Sequence, residues 1–381
     1  MAARDVVVRS TRRGRGTIAI SCMLALVLGL SSACGGGGDG QATNTGAKTI
    51  IRFAFAPDPV IDYLKDTGTL AQFEEAWGVR LEMTSSWDEF AFFAGGHGDI
   101  VSMATTDMPR LEKETGIKVT GFGKYNHSRL ILGTRCADGY KTMVDLKGKR
   151  FGVGNPVTTE TIVGTYTNIL HAGVVHFSMD TTDYEIVFND HPVLPELIAK
   201  GDIDVAYMIP EFGVKYMREG IICGLYDNRV AFEMFRDFPE LTPGHSGAES
   251  NLFVARTDWY DTHPYEVQFF LALWEQGVKL WYKNHTEIIG LYPQHFSVET
   301  PEDIAYIDQF IQDHQWVADT VYLNTDWVAG EEKLFALVQQ AGFMDVGALN
   351  PTLTVVEPAS PGDVVGGRTV PDMSEVLGTS P

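Results

Sequence analysis

The chain is poor in positive charge, in cysteine and in long apolar runs, and each shortage narrows what it can be. Its 381 residues hold 29 Lys and Arg against 50 Asp and Glu, a formal net charge of −21. So acidic a surface repels phosphate backbones and anionic lipid, which excludes nucleic acid as a partner and a basic-patch binder as a class. The four cysteines are too few for a disulfide scaffold. No Cys-x-x-Cys or His-Glu-x-x-His occurs, and His171 and His176, the closest pair of histidines, straddle a helix end, so no metal site is expected. Gly152-x-Gly154 lacks the third glycine and the Lys-Ser/Thr of a phosphate loop, and there is no Gly-x-Ser-x-Gly elbow for a nucleophile. Neither a cofactor nor a catalytic residue is expected.

What is present begins with a targeting segment. Arg9, Arg12, Arg13 and Arg15 precede an apolar stretch, Thr17 to Leu30, whose 14 residues are too short to span a bilayer comfortably and suit a signal peptide. It ends in Leu30-Ser31-Ser32-Ala33-Cys34, and small residues directly before a Cys resemble the bacterial lipobox, in which that Cys is lipidated. The alternative is a secretory signal cleaved at Ser-x-Ala. The glycine run 35–38 favours the anchor, since a membrane-attached domain needs a flexible tether. Residues 1–33 are therefore expected to be the signal, 34–48 a lipidated tether, and the protein to sit outside the cytoplasmic membrane. Of the other cysteines, Cys136 and Cys223 remain for an exported disulfide.

The body, 44% hydrophobic over the chain, is long enough for two cores, and it carries one pattern twice. Gly98-Asp99-Ile100 is followed by Pro109, a charged helical run to Gly116 and Ile117-Lys118-Val119. Gly201-Asp202-Ile203 is followed by Pro210, a helical run to Gly220 and Ile221-Ile222-Cys223. Upstream, the 51–57 segment pairs with 150–156. Strands are expected at 50–56, 79–85, 99–104 and 117–122, then at 149–154, 184–188, 203–208 and 221–226, with helices between them. Strands spaced by helices form a parallel sheet with right-handed crossovers. Ser128 to Thr134 and Asn251 to Ala255 read as crossings between two lobes. Residues 49–130 with 252–350 make the first lobe and 131–251 the second. Tyr265 to Asn284 is a long amphipathic helix, 301–341 further helices packing back on the first lobe, and 351–381 a tail expected to be partly disordered.

Three segments, Asp145-Leu146-Lys147-Gly148-Lys149-Arg150-Phe151, Leu197-Ile198-Ala199-Lys200-Gly201-Asp202-Ile203-Asp204, and Phe253 through His263-Pro264, resemble the ABC-importer solute-binding proteins of the nitrate/sulfonate/taurine type. The resemblance runs over about residues 49 to 345. It implies a two-lobed type II periplasmic-binding-protein α/β fold with two hinge crossings, at 128–135 and 250–255. It further implies a monomer that captures a small anion or zwitterion and docks on an ABC permease in the membrane. An enzyme on the same fold, acting on a thiamine-precursor pyrimidine, is a rival that the export signal disfavours; a sensor domain presenting its ligand to a partner is another.

Ligands of parallel α/β sheets gather beyond the carboxyl ends of strands, where helix N-termini offer free N–H groups to an anion. The candidates are Pro57, Asp58, Ser86, Trp87, Thr105, Thr106, Thr158, Thr159, Asn189 and Glu211. Thr158 and Thr159 bring two hydroxyls to a helix start after the second lobe's first strand; the plain alternative is a cap serving that helix alone. Trp87 is placed to stack on an apolar ligand body. Asp58 and Glu211 either complement a helix dipole or, turned into the cleft, select an amine or a ring N–H.

Overall fold

The computed structural model describes residues 48–86, 89–239, 249–344 and 352–374. The first sheet holds β1 (Thr49–Phe55), β2 (Val79–Ser85), β3 (Ile100–Met103), β4 (Val119–His127), β10 (Glu249–Arg256) and β11 (Thr352–Leu353). The second holds β5 (Ile131–Arg135), β6 (Arg150–Val153), β7 (Glu185–Phe188), β8 (Val205–Met208) and β9 (Ile222–Gly224). Their orders are β11-β4-β10-β3-β1-β2 and β7-β6-β8-β5-β9. Apart from β11, the two orders match strand for strand. In each, one strand arrives from the other half of the chain and lies antiparallel to both neighbours, β10 in the first sheet and β5 in the second. The remaining pairs of β1 with β2 and β3, and of β6 with β7 and β8, are parallel. β3 and β8 are buried along their whole length, as strands covered on both faces must be.

The repeat is real but its register is not the one suggested by the Gly-Asp-Ile triplets. Phe53 pairs with Ile100, and Phe151 with Val205. This makes Asp99 the counterpart of Asp204, not of Asp202. Both have the same task. Asp99 takes the backbone N–H and Nε of Arg52 at 2.8 and 3.1 Å, and Asp204 those of Arg150 at 2.9 and 3.1 Å. Each aspartate, just before its own strand, ties that strand to its parallel neighbour, β3 to β1 and β8 to β6.

Two expectations need correction. The crossings are not the strands: β4 runs to His127 in the first sheet, β5 begins at Ile131 in the second, and 128–130 alone pass between. Asn251 to Ala255 lies within β10, inside the first sheet, so the return precedes it, and 240–248 fall outside the described residues. The helices of 301–341 do not pack on the first lobe alone. Pro301–Asp313 gives Ile307 and Ile311 to the first core but sets Tyr306 and Phe310 also against the second. Thr325–Gln340 sends Leu334, Leu337 and Val338 into the second core and Trp327 into an apolar cluster under the first sheet. Helical period reveals that a face is buried, not what buries it. Of the tail, 352–374 are packed, and 351 and 375–381 fall outside the described residues. β11 pairs with β4, Val370 and Met373 join the first core, and Arg368 bonds Glu266 at 2.9 Å.

The long helix forms over Pro264–Leu291, with a break at Asn284 (φ −131°). Its Phe270 and Trp274 meet Phe53 and Phe253 at ring separations of 4.9 to 5.9 Å, largely edge to face. This aromatic knot anchors the C-terminal end of β1, where the site begins. In the second sheet Cys136 and Cys223 form a disulfide, with Cα atoms 5.0 Å apart.

Candidate functional site

The carboxyl ends of the strands in both sheets open onto one cleft. Its deeper part, about 280 Å³, is walled from the first sheet by Phe53, Phe55, Pro57, Asp58, Tyr125, Asn126 and Phe253, with Trp274, His295 and Trp316 from the helical layer. Ile209, Glu211 and Phe212 close it from the second sheet. A wider part, about 600 Å³, continues past Met103, Ala104, Asp107, Gly154, Asn155, Thr158, Asp190 and His191. Ala56, Arg129, Pro192, Ile209, Phe212 and Asn251 line both parts.

Four of the expected residues meet here: Pro57, Asp58, Thr158 and Glu211. Thr159 does not. It is fully buried, and its Oγ1 has no hydrogen-bond partner, so the second of the two hydroxyls points into the protein. Ser86, Thr105, Thr106 and Asn189 lie outside both cavity walls. Thr105 is buried, and in its place Met103, Ala104 and Asp107 of the same turn reach the cleft. Asn189 gives way to Asp190 and His191. Trp87, like Cys34, lies outside the described residues.

Two of the helix N-termini that were to receive an anion, those of Pro59–Asp66 and Pro156–Thr159, are already served by side chains, while the turns Thr105–Asp107, His191–Val193 and Pro210–Phe212 carry no side-chain cap. Asp58 caps the Pro59–Asp66 helix, its Oδ1 accepting the N–H of Val60 at 2.8 Å and of Ile61 at 3.4 Å, while Tyr125 donates its hydroxyl to Oδ2. Asn155 caps the Pro156–Thr159 turn in the same way, accepting the Thr158 N–H at 3.2 Å. The turn continues through a π-helical stretch, Glu160–Gly164, into Thr165–Leu170. Asp58 and Asn155 each stand just before a proline at a helix start, the cap-and-proline pairing that suits helix entry.

Burial pushes the Asp58 carboxyl above its usual range, held back by Tyr125 and the Val60 amide. The Tyr125 hydroxyl is driven up in turn, by burial and then by Asp58. Asp107 is pushed up to about 6 by burial, with Arg110 opposing. His191 is pushed down by burial and by Arg129. Its ring lies against Gly154, where a Cβ would come within 2.5 Å of Nδ1. Glu211, 3% exposed, accepts from Arg129 Nε at 2.7 Å, and the guanidinium carbon sits 4.2 Å from the centre of the Trp316 ring. Asn126 Oδ1 and the indole nitrogens of Trp274 and Trp316, buried on residues of the same wall, have no partner.

The residues that the sequence reading missed are Arg129, Tyr125, Asn126, Trp274 and Trp316. The expected strand stopped at 122, which removed Tyr125 and Asn126 from any strand end. A longer apolar alternation through Tyr125 was the available signal. Trp274 and Trp316 belong to helical and loop segments that carry no site pattern.

Among the described residues no group of three His, Cys, Asp or Glu side chains is placed to hold a metal ion, and no helix is long and apolar enough to cross a membrane. No curated protein matches the chain. Solved structures do. The periplasmic aliphatic sulphonate binding protein SsuA of Escherichia coli is 13% identical with a TM-score of 0.60, covering 82% of this chain and 94% of that one. The alkanesulfonate-binding protein SsuA of Xanthomonas axonopodis pv. citri, bound to MOPS, is 13% identical with a TM-score of 0.58, covering 78% and 95%. The ligand binding component of an ABC-type import system from Staphylococcus aureus, solved with zinc bound, is 15% identical with a TM-score of 0.55, covering 81% and 97%. At such identities the likeness establishes the fold, that of the periplasmic binding proteins. The family described as NMT1/THI5 like matches residues 91–288, from the approach to β3 to the last turn of the long helix, and the chain belongs to that family.

Proposed function

We propose that the protein is the solute-binding component of an ABC importer, exported and held at the outer face of the cytoplasmic membrane through a lipid on Cys34. It binds one small organic molecule between its two sheets and presents it, as a monomer, to a membrane permease. The observation that carries this reading is the cleft itself, built from the strand ends of two like sheets and sized for a small molecule. The ionisable groups on its walls are engaged in holding and positioning: Asp58 with Tyr125, Glu211 with Arg129. Such a site binds by complementarity, and closure follows from a higher affinity for the closed form.

The sulfonate, taurine and aromatic carboxylate classes that the family resemblance implies each bring an acidic group. Arg129, reaching both parts of the cleft, is the side chain to meet it, and the aromatic wall is suited to the ligand's body. Thermal unfolding of the purified protein against such compounds tests the reading, because a solute that binds the folded state alone raises the midpoint. A rise of several degrees with one class is expected. No rise with any small organic ion tried would overturn it.

A further inference from the structure

Charge in the cleft is unevenly shared. Among the described residues four carboxylates line it, those of Asp58, Asp107, Asp190 and Glu211, against one guanidinium, that of Arg129, and the imidazoles of His191 and His295. Glu211 already neutralises that guanidinium at 2.7 Å. The amides at the starts of Pro59–Asp66 and Pro156–Thr159, which would attract an anion, are taken by Asp58 Oδ1 and Asn155 Oδ1. A simple anion entering here therefore meets a surplus of negative charge and no vacant helix N–H at Val60 or Thr158. Low-dielectric walls strengthen that repulsion rather than screen it.

The same walls suit the opposite charge. The Asp58 carboxylate is buried and has a hydroxyl and two amides around it but no cation bonded to it. On the same wall Asn126, 4% exposed, leaves Oδ1 without a donor. Tyr125, Trp274 and Trp316 stand on that wall too, and aromatic rings attract ammonium groups through their negative faces. We infer that the solute carries a cationic nitrogen, a protonated or alkylated ammonium on an apolar body, held by the Asp58 carboxylate and Asn126 Oδ1 among these rings. The inference rests on the solute-binding reading and narrows its substrate class. A zwitterion satisfies it, its acidic group turned to Arg129 or to the unpartnered indole N–H groups; a purely anionic solute does not.

Two matched series test it by calorimetry on the intact protein: ethylammonium, ethanesulfonate and taurine, and 2-phenylethylammonium, 2-phenylethanesulfonate and phenylalanine. In at least one series the members with an ammonium group are expected to bind about tenfold or more tighter than the matched sulfonate. The variant Asp58→Asn is expected to erase that preference. Asn caps a helix about as well as Asp, so the Pro59–Asp66 helix keeps its start and the variant loses charge rather than fold, which its unchanged circular dichroism would verify. Sulfonates binding as tightly as their ammonium partners, or a preference that survives Asp58→Asn, would overturn the inference while leaving the solute-binding reading standing. Binding by no member of either series would overturn both.

Discussion

A single carboxyl shows how the cleft's architecture acts on one residue. Asp107 ends the turn after β3, half-buried at the cleft wall, and its pKa, pushed up to about 6, lies above the roughly 3.9 of an unfolded chain. The folded state thus holds this proton more tightly than the unfolded one. Its contribution to stability is full below about pH 4, is lost as pH rises through about 6, and is a penalty above that. Replacing the charge by Asp107→Asn is expected to stabilise the protein by about 1–2 kcal/mol at pH 7.5 and by nothing at pH 4, read from urea midpoints at the two values. An equal gain at both would mean that desolvation of Asp107 is not the cause. Thr159 makes the contrasting case. Its buried hydroxyl has no partner, so Thr159→Val removes an unsatisfied group and keeps the shape; stability should hold or rise by about 1 kcal/mol, with solute affinity unchanged. A lost affinity would return Thr159 to the site. Asp58, Thr158 and Glu211 were legible because they follow strands whose ends the sequence marks with proline and hydroxyl residues. Arg129 was not, since its place depends on where β4 ends and on Glu211 and Trp316, 82 and 187 residues further along the chain.

At the scale of elements, most strands of the two sheets were legible to within about two residues, β4 with its five further residues being the exception, because β-branched runs between glycine stops report local preference. Partners were less so. Nothing local distinguishes a strand that crosses between sheets from one that completes a sheet, and β5 and β10 were read as the former though they are the latter. The helix Thr325–Gln340 was misassigned for the same reason: its apolar face is plain in the sequence, while the second core that receives it is assembled by residues 130 to 238. One covalent tie does fix an element pair. Cys136 and Cys223, 87 residues apart, join the turn after β5 to β9, which lies beside it. Closing a loop of that length lowers unfolded-state entropy by an amount worth about 4.6 kcal/mol in the chain-entropy account. The double variant Cys136→Ser/Cys223→Ser is expected to lose about 2–4 kcal/mol by urea denaturation. The wild-type protein should fall to the same midpoint once reduced, and a reduced protein as stable as the oxidised one would contradict this.

For the whole molecule, the two sheets are tied together by more than the 128–130 crossing, and this bears on how the cleft opens. The Pro301–Asp313 helix belongs to the first core through Ile307 and Ile311, yet both its ends grip the second lobe. Asp303 in its first turn accepts from Arg218 Nε at 2.7 Å, and His314 at its end pairs with Glu233 at 2.8 Å. Asp303 is held in place by its own duty, since its Oδ2 accepts from the Thr300 N–H and hydroxyl in the capping box of that helix. These contacts stabilise the arrangement in which the sheets face each other across the cleft, and opening it must break them or carry the helix along. Exposed ion pairs contribute about 0.2–1 kcal/mol each, and partly buried ones with fixed partners somewhat more. Removing both pairs in Arg218→Ala/His314→Ala should therefore shift the balance toward open forms by about 1–2 kcal/mol, which lowers solute affinity about tenfold. Small-angle scattering of the solute-free variant should give a larger radius of gyration than the wild type, and saturating solute should restore the wild-type value. If the radius and the affinity both stay as they were, the helix moves with one lobe as a passive rider, and the closing motion is governed at the 128–130 crossing instead.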